Sequence, residues 1–519
     1  MPRSKDVPSD RSIPSGSDFL QLNAADAPAG GLSDWLARRL RLAIADGRLA
    51  VGDRLPATRT LAEELRVSRG VVTEAYQRLI EDGHAAGRGR AGTVVVAAPV
   101  AAPAPAPART RTAAGPPPGA VFTAEPGAVF TAEPGAVFTA EPGAVFTAEP
   151  GADVFDVVRA APARIDLGPG TPDLASFPRT AWLRAERRVL GTLAATGLGY
   201  GDPRGTPELR RAVARWLARN RGIAAGPDEV LIVNGTAQTL GLLAQVLRGR
   251  GVSEVAVEDP GSLGARQHLR YWGLRTPPVP VDADGIRVTE LRDRGAPAVM
   301  VTPAHQFPTG VVLGGGRRRE LMRWATDTGG LIVEDDYDAE HRYDRPPVPA
   351  LRAMLPEHVC YAGSVSKLLA PTLRTGWVVA PPELHGALVD AKRFTDLGSA
   401  ALPQLVLAEL METGELERRL RQVRRRHRAR RDAMIRAVDT HLPGAAVQGA
   451  AAGLHLTVTF DAGFADTDLA AAALAQGVKA HPLSWHCQRP GRPGLVLGYA
   501  ASTVTEIEEG VAVIGKVLA

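Results

Sequence analysis

Between residues 98 and 155 the chain is so rich in proline, alanine and glycine that no packed core can run through it, and this break governs everything else. The segment opens VAAPVAAPAPAPARTRTAAGPPP, which favours extended polyproline-like backbone, and continues with four tandem copies of GAVFTAEP at 119–150. No helical pattern survives in it. The AVFTA runs between Pro-Gly steps are too short to make stable isolated hairpins, although a small β-meander is the alternative to disorder. A period of eight also lies far below the roughly 20 to 50 residues of solenoid repeats. The chain therefore divides into a polar, disordered lead-in at 1–30, a compact charged segment at 31–97, a disordered linker at 98–160 and a long mixed segment at 161–519.

Length and composition exclude several classes. At 519 residues the chain exceeds the roughly 250 to 300 at which one core stops growing. With 45% hydrophobic and 23% charged residues and no apolar run able to span a bilayer, it does not read as a membrane protein. Its amino terminus, MPRSKDVPSDRSIPSGSD, lacks the apolar segment of a secretory signal. Cys360 and Cys487 are the only cysteines and stand in no metal-ligand spacing, which fits a reducing cytoplasm and argues against a zinc site. The net charge of +5 permits nucleic-acid binding without requiring it.

The long segment alternates continuous apolar runs with helical patterns. VLIVNG is followed by TLGLLAQVL, and VAVED, AVMVTP, GLIVEDDYD and WVVAP come at intervals. Fully apolar strands separated by helices imply an α/β fold with a mostly parallel sheet covered on both faces. Polar residues at the carboxyl ends of those runs stand where such a sheet places its ligand.

In the amino-terminal segment, Leu36, Leu40, Ala43 and Ile44 recur at helical spacing up to Asp46-Gly47. LPATRTLAEELRVSRGVVTEAYQRLIEDG then holds two helical patterns separated by a tight Leu65-Arg66-Val67-Ser68 turn, with Ser68 placed to cap the second. AAGRGRAGTVVV has the composition of a wing hairpin. These residues resemble the GntR-type winged helix, which binds double-stranded DNA. A recognition helix points its first residues at base edges, which selects Arg69, Gly70 and Thr73; Ser68 and the helix amino terminus suit phosphate. The resemblance adds Arg59, Arg88 and Arg90 near the backbone or minor groove. RRLRQVRRRHRARR at 418–431 is read as the solvated face of a helix with one buried stripe, a non-specific phosphate contact being the alternative.

Three further stretches converge on one chemistry. In AGSVSKLLAPTLRTGW, Lys367 follows Ser364 and Ser366 and precedes Arg374, a set that offers an amine for a Schiff base beside donors for a phosphate. In LIVEDDYD, strand alternation puts Asp335 and Tyr337 on one face and turns Asp336 away. VNGTAQTL sets Gly235, Thr236 and Ala237 at a strand-to-helix junction, where backbone N–H groups can hold an anion.

With GTPDLASFP, YGDPRGTPELR, VEDPG, VTPAHQFPTG, VEDDYDAEHRYD and the terminal LGYA, the region from 164 onward resembles the fold-type I aminotransferases, and in particular the MocR/GabR-type regulators that join that fold to a GntR-like winged helix. The resemblance implies pyridoxal 5'-phosphate on Lys367, Asp335 at the pyridine nitrogen, Tyr337 at the ring hydroxyl, and Ser364, Ser366 and Arg374 at the phosphate. It further implies a homodimer in which Tyr200 reaches the phosphate held by the neighbouring subunit, with His305 and Gln306 near the ring. Two departures stand out. Ser262 and Leu263 occupy the place of a ring-stacking aromatic, and Val496 that of a carboxylate-binding arginine, for which Arg489 or Arg492 could substitute. The expectation is a regulator that senses pyridoxal phosphate or an amine or amino-acid effector, rather than an active aminotransferase carrying a DNA module or a scaffold without cofactor.

Overall fold

The computed structural model describes residues 22, 24–27, 31–45, 49, 52–81, 84–87, 92–96, 145–343, 349–461 and 463–519. Nearly all of the lead-in, the linker up to residue 144, and the wing residues Arg88 and Arg90 lie outside them.

The amino-terminal helices are Leu32–Ala45, Thr58–Glu64 and Arg69–Glu81, followed by an antiparallel pair, Ala85–Gly87 with Thr93–Val95. Leu36, Leu40, Leu61, Leu65, Val72 and Leu79 form its core, one stripe from each helix. Arg66 takes a left-handed backbone (φ +52°) in the tight turn, and Ser68 Oγ accepts from the Val71 N–H at 3.4 Å. That cap starts the third helix where the sequence pattern places it.

The carboxy-terminal segment is built on an eight-stranded sheet. In spatial order its strands are Val230–Val233, Gly376–Val379, Val359–Ser364, Leu331–Asp336, Ala298–Val301, Ala256–Asp259, Pro278–Asp282 and Gly285–Ile286. The five from Val359–Ser364 to Pro278–Asp282 pair in parallel, whereas Gly376–Val379 is antiparallel to both its neighbours. Leu231 and Val233 enter one apolar cluster and Val230 and Ile232 another, so both faces are covered. The sequence pattern picks out five of these strands. It misses Val359–Ser364, whose residues VCYAGS end in small types, Pro278–Asp282, whose prolines disguise it, and the two-residue Gly285–Ile286. A second, antiparallel sheet joins Ala446–Gln448, His455–Thr459, Gly494–Gly498 and His481–Pro482.

Two expectations need correction. The linker does not run to residue 160: from Val145 the chain lies on the second sheet's domain, with Val145, Phe146, Val154 and Val158 buried there and a helix at Val154–Ala160. The apolar V-F pairs find a partner surface that local sequence cannot reveal. The arginine-rich run belongs to the helix Glu415–His441, and it is not simply solvated. Arg424 Nε donates to the Glu340 carbonyl at 2.6 Å, Arg431 Nη1 to that of Ala450 at 2.8 Å, and Arg428 and Arg430 to those of Tyr343 and Ala500. Long arginine stems reach carbonyls across the packing face while Leu420, Val423 and Met434 fill its centre. Among the described residues no helix is long and apolar enough to cross a membrane, and no cluster of three metal-ligating side chains occurs.

On the back of the central sheet Asp336 meets Arg221 Nε at 2.5 Å and accepts from Tyr361 Oη at 2.6 Å, the two charged side chains each 1% exposed. Removing one partner of a buried pair leaves an unpaired charge. Arg221→Met is expected to cost about 3–5 kcal/mol, read as a lowered urea midpoint, with much of the loss recovered in the double variant Arg221→Met/Asp336→Leu. Equal midpoints for wild type and single variant would show that the pair does not hold the strand.

Candidate functional site

A cavity of about 390 Å³ opens at the carboxyl ends of the parallel strands, between the two sheets. Asp335, Tyr337, Thr236, Ala237, Ser364, Ser366, Lys367 and Arg374 all line it. Segments far apart in sequence therefore reach one space, as the strand-end rule for open α/β sheets requires.

Gly235 precedes the helix Thr236–Gly249 with φ +80°, and a Cβ there would lie 3.1 Å from Arg374 Nη2. Only glycine lets the backbone turn and the guanidinium share that corner. Arg374 is itself left-handed (φ +45°) and donates to the Asn234 carbonyl at 2.6 Å, which aims its fork along the helix amino terminus. Ser364 Oγ accepts from the Ser366 N–H at 3.3 Å.

Lys367 donates to the Gly170 carbonyl. Burial lowers its pKa, against the opposing pull of Asp338 and Asp335. Asp335 Oδ1 is buried without a hydrogen-bond partner among the described residues. Burial, then Asp336 and Asp338, push the Asp335 carboxyl from 3.8 up to about 7. The Tyr337 hydroxyl lies 3.0 Å from His305 Nδ1, which is also 2.9 Å from Asp338 Oδ2. His305 does not line the cavity. It stands behind Tyr337, locked there because Gly453 leaves it room: a Cβ at that glycine would sit 2.1 Å from its ring. Gln306 is likewise occupied, donating to the Pro260 carbonyl at 2.8 Å and accepting from the Thr309 hydroxyl at 2.6 Å. Tyr200 is 98% exposed and lines no part of the cavity of its own chain.

Phe155, Phe307, His455, His481 and His486 also line the cavity wall, and the sequence reading selects none of them. Burial drives His455 down to about 3, His481 to about 4 and His486 well below its ordinary value, so these residues are uncharged at neutral pH. Ser262 lines the cavity too, but its hydroxyl caps the next helix, accepting from the Ala265 N–H at 3.2 Å. On that side the aromatic is Phe155, whose ring would lie 3.5 Å from a Cβ at Gly264. Val496 is buried in its strand and away from the cavity. Arg489 pairs with Asp259 at 3.0 Å and Arg492 with Asp461 at 3.1 Å, and neither reaches the cavity.

Residues 163–514 match the family described as aminotransferase class I and II, and residues 32–95 that described as bacterial regulatory proteins, gntR family. The chain is 31% identical to the probable rhizopine catabolism regulatory protein MocR of Rhizobium meliloti, over 92% of this chain and 91% of that one. The chain belongs to the MocR family of transcription regulators. Another relative of the same architecture is the pyridoxine biosynthesis transcriptional regulator PdxR of Corynebacterium glutamicum, 27% identical over 90% of this chain and 91% of its own. The alpha-aminoadipate aminotransferase LysN of Thermus thermophilus, solved with N-(5'-phosphopyridoxyl)-L-leucine, superposes with a TM-score of 0.65 at 28% identity, covering 72% of this chain and 96% of that one. This MocR-type regulator thus joins a gntR-family helix-turn-helix to an aminotransferase fold. On the former, Arg59, Ser68, Arg69, Gly70 and Thr73 are all exposed.

The raised Asp335 pKa has a stability consequence. Between about 4 and about 7 the folded regulator keeps a proton that the unfolded chain has released, so this group makes stability fall as pH rises through that window. Asp335→Asn removes the titration. In ligand-free protein the variant's urea midpoint is expected to fall less between pH 4.5 and 7.5 than the wild type's, by on the order of 1 kcal/mol or more. Identical pH dependence in the two proteins would contradict the burial of an uncompensated carboxyl.

Proposed function

We propose that this regulator carries pyridoxal 5'-phosphate on Lys367, works as a cytoplasmic homodimer on double-stranded DNA, and responds to the cofactor or to an amine or amino-acid effector that reacts with it. The orphaned Asp335 Oδ1 carries the reading: a buried carboxylate oxygen with no partner among the described residues, at the rim of a cavity, fits a ligand that brings its own N–H. The glycine corner at 235 beside Arg374 and the helix amino terminus fit a phosphate. Bound there, the cofactor supplies an electron-poor ring and a carbonyl carbon that condenses with amines. Asp335 would keep the ring nitrogen protonated, Tyr337 would bond the ring hydroxyl, and Ser364, Ser366 and Arg374 would hold the phosphate. His305, through Tyr337, acts as a positioning residue.

Dimerisation is supported by an exposed apolar patch. Leu198, Tyr200, Phe394 and Leu397 are 67%, 98%, 87% and 62% exposed, and the segments carrying them meet where Gly398 approaches Pro203. In a dimer this patch would be covered, with Tyr200 directed at the neighbour's cofactor phosphate.

Sensing is favoured over turnover because, among the described residues, Lys367 and Arg374 are the only lysine and arginine on the cavity wall, and both are assigned to the cofactor. The neutral histidines of the lining offer no cation to clamp a substrate carboxylate, and orientation of that kind can be worth several kcal/mol of barrier. Purified wild type should show a visible absorbance band that shifts when amines are added and DNA affinity that changes with it, while Lys367→Ala should show no band. Sustained transamination at about 1 to 1,000 per second would replace the sensor by an aminotransferase.

The exposed start of the third helix supports a base-edge role for Arg69, and the exposed Arg59 on the helix Thr58–Glu64 supports one near the DNA backbone. Arg69→Ala should cost roughly 1–3 kcal/mol of DNA affinity and relax preference at one position. Arg59→Ala should weaken all sequences alike and reduce the salt slope by about one. Binding isotherms on specific and scrambled duplexes at several salt concentrations separate the two, and a uniform loss for Arg69→Ala would remove it from base readout.

A further inference from the structure

The last repeat is seated on a surface that the other three match residue for residue. Val145 and Phe146 of the copy at 143–150 are 3% and 4% exposed. The Phe146 ring stacks on Trp485 at 5.3 Å, and Trp485 Nε1 donates to the Thr147 carbonyl at 2.8 Å. Thr147 Oγ1 in turn donates to the Glu149 carbonyl at 3.1 Å. Every one of these contacts is made by the segment V-F-T-A-E, which recurs unchanged at 121–125, 129–133 and 137–141. The same side chains are thus available to make these contacts from each copy. What distinguishes the copies is their connection to Gly151, whose carbonyl is held by Gln267 Nε2 at 2.7 Å.

We infer that the Trp485 surface is a docking site for the V-F-T-A-E peptide, and that the preceding copy, residues 135–142, exchanges with residues 143–150 on it. Exchange leaves the helix Val154–Ala160 in place and loops out the eight residues between Pro142 and Gly151. Loop-closure entropy grows only slowly with length, and loops of this size are common on protein surfaces. The tether to the winged helix then changes length in steps of eight residues, each altering its reach by about 3 Å at roughly 5–6 Å times the square root of residue number. The seat also adjoins the cavity. Trp485 lies 5.9 Å from His481, and His481 lies 6.1 Å from Phe155, the latter two being cavity-wall residues.

Hydrogen exchange of the full-length protein tests it, read in the segment 483–487 that carries Trp485. Phe146→Ala alone should leave exchange there within about twofold of wild type, because Phe138 takes the seat. Replacing Phe122, Phe130, Phe138 and Phe146 together should raise it roughly tenfold or more, the factor that burial of one phenylalanine commands. The triple variant that keeps Phe146 should match wild type. If Phe146→Ala alone equals the quadruple variant, the seat accepts one copy only and the proposal fails. It fails equally if the quadruple variant shows wild-type protection.

Discussion

Asp336 and Arg221 meet on the buried back of the central sheet, and the site on the front depends on that contact. Successive strand residues face opposite ways. With Asp336 held by Arg221 and Tyr361 on one face, Asp335 must project from the other, into the cavity beside Lys367. A carboxylate forced into a buried place without a hydrogen-bond partner raises its own pKa and waits for a donor. The pair thus supplies the rigidity, and Asp335 carries the unmet polar demand. Functional sites commonly hold such demand because the rest of the fold offsets it.

Elsewhere on the cavity lining the chemistry is of another kind. Phe307 lies against His455 at 5.0 Å and His486 at 4.9 Å, and burial keeps these imidazoles neutral. The lining therefore combines the ionisable groups of Asp335, Lys367 and Arg374 with aromatic and uncharged surface. This lining stands on an aminotransferase fold in a chain of a transcription-regulator family.

Of the described cavity-wall residues, Phe155 stands nearest in sequence to the winged-helix segment. Phe155 sits nine residues after Phe146, on a segment that leaves the linker and packs beside Trp485 and His481. Displacement of Phe155 by a bound molecule would act on the point where the tether is fastened, a coupling that needs only a differential contact between two arrangements.

The sequence by itself determined a great deal. Proline and alanine density marks off the gntR-family segment from the aminotransferase-like one in the sequence, because such composition lacks the apolar periodicity of a core. The cap at Ser68 and the apolar stripe of the first helix set the helix-turn-helix, and strand alternation in LIVEDDYD set which carboxylates face forward. These are local rules, with periods of 2.0 and 3.6 residues and the preferences of single side chains. Tertiary structure decided the rest. It drew Val145–Ala160 out of the linker, since a V-F pair is apolar anywhere but is buried only where Trp485 awaits it. It placed His305 behind Tyr337 instead of in the cavity, and it brought Phe155, Phe307, His455, His481 and His486 together from four separate segments. It turned the arginines of the Glu415–His441 helix toward carbonyls rather than water. No periodicity encodes those partners, because each depends on surfaces that distant parts of the chain create only on folding.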